Sequence, residues 1–452
     1  MDTIGCGKSV SPKDMEIPYQ LIKLMLPLIV GNILQQFYNT ADAFVVGRFA
    51  DELSFAGVGI ASSVMNMFLF AIVGACSGIS VMFSQYYGAK DIEAFRNEHF
   101  LTFTFGSMIS IALSITGIIM LSLILNVIQV PYELDKYVKS YLAIVFLGLP
   151  ASYIYNLCNA ILRSVGRTGV VMAILTVSVA VNLGVDIILV WKFNMGIKGA
   201  ALATVLSQML SAVLSYLYIL KKQPELMFKK CDCKVNINRL RKTGKLAGVT
   251  GLHQTGLYIG KLLVQGVINT AGTSVISAYT ATTRIEGFAN SFGDSGAAAT
   301  SVIVAQNVGE NNRDRVKHTY KWSFIILAIL GVVCSLVMYA TAGMTTSLLI
   351  GKAYGQSYEN AVEYLKIISM FYVLCFTGNT YAGYFDGIGK VHIPFIGAVS
   401  HITMRIILTY FMIRAMKLKA VAIATGIGWV YVNILWEIIR RKTYNKKYLK
   451  FE

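Results

Sequence analysis

The chain of 452 residues is 55% hydrophobic and only 14% charged, with a mean hydropathy of +0.60, too apolar for a soluble protein of this length. Its formal net charge of +17 would suit a nucleic acid, but no aromatic-basic surface domain is available to hold one, and nucleic-acid binding is excluded. Enzyme signatures are absent: Gly7-Lys8-Ser9 matches only the tail of a phosphate loop, with Asp2 in place of its first glycine. The chain is therefore expected to be neither an enzyme nor a cofactor binder, and any work it does must draw on an ion gradient.

Hydrophobic runs of about 20 to 30 residues, each long enough to cross a hydrocarbon core as a helix, recur along the chain. The first covers 22–46, with no cleavable leader expected ahead of it. Pro27 lies inside that run and should kink or break it, which suits a gating helix. Runs at 55–86, 100–127, 138–162, 170–190 and 199–220 complete a first set. A basic stretch at 221–245, with Pro224 inside it, then leads to runs at 246–270, 275–306, 320–343, 361–384, 392–416 and 421–439. The expectation is an all-α membrane protein of twelve transmembrane helices in two pseudo-symmetric six-helix lobes, 1–220 and 246–452, joined by a cytoplasmic linker at 221–245.

An internal repeat supports the two lobes. Ser80-Val-Met-Phe-Ser-Gln85-Tyr-Tyr-Gly88 returns as Ser301-Val-Ile-Val-Ala-Gln306-Asn-Val-Gly309. Ser164-Val-Gly166-Arg167 returns as Gly387-Ile-Gly389-Lys390, and Ala201 to Thr204 as Ala422 to Thr425. The offset of about 220 residues holds an even number of helices, so both lobes run the same way through the membrane, with a substrate site expected between them. With the N-terminus placed inside, about 26 of the 40 Lys and Arg fall on cytoplasmic segments and about 10 outside. Both termini are thus expected in the cytoplasm and the chain in a bacterial plasma membrane. Its basic clusters at 221–245, 313–321 and 440–450 set topology and touch anionic lipid headgroups. Cys76, Cys158, Cys334 and Cys375 read as small buried residues. The Cys231/Cys233 pair lacks the second pair or histidine that a zinc site needs.

Polar groups inside the apolar runs are where chemistry is expected, since a carboxylate at the bilayer centre costs roughly 2.5–3.5 kcal/mol. Gln35, Asn39 and Asp42 share a face of the first helix, and Asn182 and Asp186 a face of the fifth. Thr204 and Gln208 lie one turn apart on the sixth, and Asn159 adds an amide on the fourth. Carboxylates, amides and a hydroxyl offer hard oxygen ligands to a small cation; the same carboxylates, buried near each other, could carry a proton. The second lobe is polar differently, with Lys261, Arg284, Glu286, Asp294, His401 and Arg405 in its predicted helices. Lys261 and Arg405 are available to neutralise Glu286 and Asp294. Gly74/Gly78 and Gly256/Gly260 have the spacing for close helix contact.

These features together resemble the multidrug and toxic compound extrusion (MATE) family over nearly the whole length. The resemblance is carried by Gly31 to Asp42, the Gln85/Gly88 and Gln306/Gly309 turns, Arg163 to Arg167, and Thr283-Arg-Ile-Glu286. It implies a rocker-switch antiporter, exporting cationic or amphipathic organic compounds in exchange for sodium ions or protons. It further implies a cation or sodium site at Asp42, Asn182, Asp186 and Thr204, a cavity lined by Gln35, Tyr38, Asn39 and Asn159, and Pro27 as a bending proline. Its partners would be small organic substrates and membrane lipids, and it would act as a monomer. Family members with a second-lobe site use acids on the seventh and tenth helices. Here Gly251 to Gly256 and Phe371 to Phe376 hold none, and Asp386 replaces the usual arginine of the helix-ten turn. The competing expectation is a flippase of the same superfamily for lipid-linked sugars or peptidoglycan precursors, which Lys261 and Arg405 would suit.

Overall fold

The computed structural model describes residues 12–49, 52–351 and 353–445, without the side chains of 12–15, 39–47, 49, 52, 55, 444 and 445. Among the described residues every regular element is helical. The first lobe begins with α1 (Pro12–Phe49) and α2 (Glu52–Gly88). Its third pass is broken into α3 (Ile92–Leu101), α4 (Ser107–Ile119) and α5 (Leu121–Val127). The first of those breaks is a π turn at Thr102–Gly106, where the Tyr153 hydroxyl donates to the Thr102 carbonyl at 2.7 Å. A side chain at Gly106 would overlap the same ring, so the widened turn and its glycine make room for one tyrosine. Then come α6 (Tyr132–Ser164), α7 (Thr168–Asp186) and α8 (Gly196–Lys222).

The second lobe comprises α9 (Ile237–Asn269), α10 (Thr273–Gly309), α11 (Arg313–Ile350), α12 (Gln356–Ser369), α13 (Tyr372–Gly387), α14 (His392–Met416) and α15 (Leu418–Asn445). Among the described residues nine helical spans are long and apolar enough to cross a membrane, and α12 and α13, bent by 53° at their junction, form a tenth. The two remaining passes, α9 and α10, are 33 and 37 residues long but more polar. Both lie at the seam between the lobes, α9 packed against α2 and α10 against α2 and α1, so less of their surface needs to suit lipid. α11 is the opposite case: Ile329, Leu336, Met344 and Leu348 are exposed along it, as a lipid-facing helix requires.

The repeat reappears in the backbone. Left-handed residues pair off one repeat length apart: Lys90 with Asn311, Gly166 with Gly389, Gly196 with Lys417, and Gln129 with Gly351. The helices that follow the first pair are capped alike, with Asp91 accepting from Ala94 N at 2.9 Å and Asn312 from Arg315 N at 3.0 Å.

Among the described residues the two largest hydrophobic cores hold one lobe each. One gathers Phe83, Phe95, Tyr141, Phe146 and Leu157; the other Ile303, Tyr364, Ile368, Tyr372 and Phe376. α1 departs from the simple division, because Ile17, Leu21, Leu24, Met25 and Ile29 belong to the second-lobe core. Its later half packs along α7 of the first lobe. Pro27 lies inside α1, which runs through it as one continuous helix without a break. At the seam, Gly78 lets α2 approach α9 so closely that a Cβ there would sit 2.7 Å from the Leu246 carbonyl. Gly74 does the same against Thr250 and Gly251. Gly260 instead makes room for Ile402, and Gly256 faces open space.

The linker is folded onto the protein. Asn97 on α3 donates to the carbonyls of Asp232 (2.8 Å) and Lys234 (2.7 Å) and accepts from Arg239 at the start of α9 (2.6 Å). Arg96 pairs with Asp232 at 2.9 Å, and the same carboxylate accepts from Lys229 N at 2.8 Å.

Candidate ion and substrate site

The polar stripe expected on the fifth membrane helix is longer than the amide and the acid alone. Ser178, Asn182 and Asp186 follow one another at spacings of four on α7, and all three are buried. Thr204, Ser207 and Ser211 form a matching buried stripe on α8. The stripes face each other: Ser178 Oγ donates to the Ser207 carbonyl (2.9 Å), Ser211 Oγ to Ser178 Oγ (2.6 Å), and Asn182 Nδ2 to Ser207 Oγ (3.5 Å). Ser207 Oγ in turn donates to the Thr204 carbonyl at 2.8 Å.

Tyr38 joins α1 to this pair, with its hydroxyl 3.4 Å from Thr204 Oγ1. α7 then widens into a π turn over Ile187–Lys192, directly after Asp186. Such single turns are frequent at functional sites because they re-aim the side chains beside them. Asp186 itself is fully buried, and its carboxylate shares the face that carries Asn182. The side chains of Asn39 and Asp42 lie outside the described residues; their backbone belongs to α1. Asn159 is buried on α6 beside Tyr155 and, among the described residues, makes no hydrogen bond to α7 or α8. Gln35 is half-buried on α1.

Residues the sequence reading passed over are the three serines and two α1 groups that face the other lobe. Asn32 donates to Ser295 Oγ at 3.0 Å, and Phe37 meets Phe288 edge to face with ring centroids 5.3 Å apart. The signal for the serines was the four-residue spacing that picked out Asn182 and Asp186. α1 therefore touches the α8 stripe through Tyr38 and the second lobe through Asn32 and Phe37.

The second-lobe charges form a different cluster. Arg405 donates to the Tyr279 hydroxyl at 3.5 Å, and the Tyr279 and Tyr364 rings meet at right angles with centroids 6.5 Å apart. Glu286, half-buried, sits beside Tyr364 and feels the charges of Arg405 and Lys261. Asp294 and Lys261 are both exposed and electrostatic neighbours, and Arg284 is exposed as well. Among the described residues none of these groups forms an ion pair within 4.0 Å, so the two lobes differ in kind. The first offers uncharged oxygens around an acid, the second separated charges. Among the described residues no cluster of His, Cys, Asp and Glu suited to a transition metal occurs.

The MatE family model matches the chain twice, over residues 27–188 and 250–411, once for each lobe. The chain belongs to the MatE family. Similar curated relatives include the "Probable multidrug resistance protein YoeA" of Bacillus subtilis, 25% identical over 336 residues and 72% of each chain. A second is the "Probable multidrug resistance protein NorM" of Thermotoga maritima, 24% identical over 449 residues, covering 96% of this chain and 93% of the relative. Among solved structures, this MatE protein superposes with a TM-score of 0.90 on the outward-facing conformation of a multidrug resistance MATE family transporter, at 20% identity, covering 99% of this chain and all of the other. That likeness fixes the fold of the MatE chain, with its two lobes and repeated helices.

Proposed function

We propose that this MatE protein is a cation-coupled antiporter that exports organic cations and amphipathic drugs by alternating access. It would work as a monomer among membrane lipids in the cytoplasmic membrane, with both termini in the cytoplasm. The observation that carries the reading is the buried α7/α8 stripe of Asn182, Asp186 and Thr204 tied to α1 through Tyr38. An acid, an amide and a hydroxyl are the oxygen donors a sodium ion prefers, and an acid alone suffices for a proton. Asp42 is the second acid of the set. The names of the curated relatives support the drug-export part of the reading.

α1 gives the site a route to the other lobe. A cation that draws Tyr38 and Asp42 toward α7 acts on a helix whose opening turns lie in the second-lobe core. The coupling free energy required is modest: typical couplings of 1–3 kcal/mol change affinity by about 5- to 150-fold. Efflux of a fluorescent organic cation from proteoliposomes, under an imposed sodium or proton gradient, tests the reading and identifies the coupling ion. Asp42→Asn and Asp186→Asn should each abolish gradient-driven efflux in protein that still inserts and folds. Full transport by either variant would overturn the site, and movement of a lipid-linked sugar without drug efflux would favour the flippase.

A further inference from the structure

One pair of contacts across the lobes obeys the repeat and is absent from the site above. α6 and α13 are equivalent helices, and each ends in a left-handed glycine turn, Gly166 (φ +80°) and Gly389 (φ +79°). In the first lobe that turn occupies the carbonyls of Leu162 and Arg163, bonded by Arg167 N (2.8 Å) and Gly166 N (3.0 Å). In the second it occupies those of Phe385 and Asp386, bonded by Lys390 N and Gly389 N, both at 2.8 Å. The last carbonyl of each helix, Ser164 and Gly387, is left without a backbone donor among the described residues.

A glutamine from the opposite lobe supplies each missing donor. Gln306 Nε2 donates to the Ser164 carbonyl at 2.7 Å, and Gln85 Nε2 to the Gly387 carbonyl at 3.3 Å. The backbones beneath are equally reciprocal. Gly88 lies against the carbonyl of Gln306 and Gly309 against that of Gln85, each so close that a Cβ would overlap the oxygen. We propose that Gln85 and Gln306 form a pseudo-two-fold latch that closes the transport path at the linker end of the bundle, and that both bonds break to expose the site on that side. The latch rests on the alternating-access reading, which places this end in the cytoplasm. Its logic is local. With the lobes together, four otherwise needy groups satisfy one another where water is partly excluded; with the lobes apart, two helix-end carbonyls and two amides turn fully to solvent. Because the two bonds are equivalent by the repeat, neither lobe can leave without undoing both.

The test reads the distance between lobes rather than transport. Spin labels at Glu93 and Asp314, exposed and equivalent positions beside the latch, are attached in a cysteine-free background in lipid nanodiscs. Pulsed dipolar spectroscopy then gives the ratio of short to long distances. Removing one ordinary hydrogen bond should lower the closed-to-open ratio about fivefold in Gln85→Ala or Gln306→Ala, and about 25-fold in the double variant. Gln306→Glu keeps the shape but loses the donor, so it should open this end when ionised and restore it when protonated at low pH. Gly88→Ala should open it with both glutamines present. A double variant whose distance distribution matches the parent overturns the latch. Because efflux is not the readout, that failure is distinct from failure of the antiporter reading, which would appear as no gradient-driven transport by the parent protein.

Discussion

The Tyr38 hydroxyl on α1 lies 3.4 Å from the Thr204 hydroxyl on α8, so the helix that enters the second-lobe core also touches the polar stripe of the first lobe. Tyr38→Phe removes this link while keeping the ring. The expected result is about fivefold weaker dependence of efflux on the coupling ion, the size of one ordinary hydrogen bond, with thermal stability nearly unchanged. Ion titration of efflux checks it; an unaltered ion dependence would separate Tyr38 from coupling.

The second lobe should matter for what is carried rather than for what drives it. Glu286→Gln and Asp294→Asn are expected to alter substrate range or yield, because each leaves Arg405 or Lys261 without its neighbouring negative charge. Ion-dependent efflux per folded molecule should persist, with Asp186→Asn as the inactive reference. Loss of coupling as complete as in that reference would place a second ion site in the second lobe.

Close helix approach at the seam predicts steric sensitivity. Gly78→Val would drive a branched side chain into the Leu246 carbonyl and Thr250. A cost of about 1–3 kcal/mol, typical of overpacking, should lower the melting temperature. Substitution at Gly256, which faces open space, should leave it unchanged. Differential scanning fluorimetry in detergent distinguishes the two, and equal melting temperatures would refute the contact.

The linker carries a prediction of its own. Asp232 is nearly buried, pairs with Arg96 and caps the turn at Lys229. Asp232→Ala strands the guanidinium and one backbone donor, and a loss of about 3 kcal/mol is expected from breaking such a pair. Limited trypsin digestion should then cut faster at Lys229, Lys230 or Lys234 than in the parent, and identical digestion rates would show the linker to be held by other means.

Much of the architecture was legible because membrane helices are long and apolar and because the repeat keeps its glutamine and glycine positions. Asn182 and Asp186 stood out for the same reason that they are costly: amides and acids are rare in lipid-length runs. Ser178, Ser207 and Ser211 did not, since a serine in a helix can bond its own preceding turn and carries little penalty. The bend between α12 and α13 and the two π turns were hidden; the first π turn, for one, is built around a partner elsewhere in the chain, Tyr153 against Thr102. Nor could periodicity reveal that α1 gives its opening turns to the second-lobe core while packing against α7 of the first. An apolar face shows that something covers it, not which part of the chain does.

That sharing has a consequence for how the protein is made. Among the described residues the buried first-lobe core draws on α2 to α8 and the start of the linker, so it can condense as soon as those segments have emerged. Ile17 to Ile29 belong instead to a cluster whose other members, including Ile303, Tyr364 and Ile368, are made much later. At about 5–20 residues per second, translation leaves this apolar face waiting on the order of tens of seconds. During that interval it must be sheltered by lipid or by the insertion machinery. Part of the oldest helix of the nascent protein thus waits for neighbours made late, and damage to α10 or α11, which pack against it, should surface first as a misplaced N-terminus.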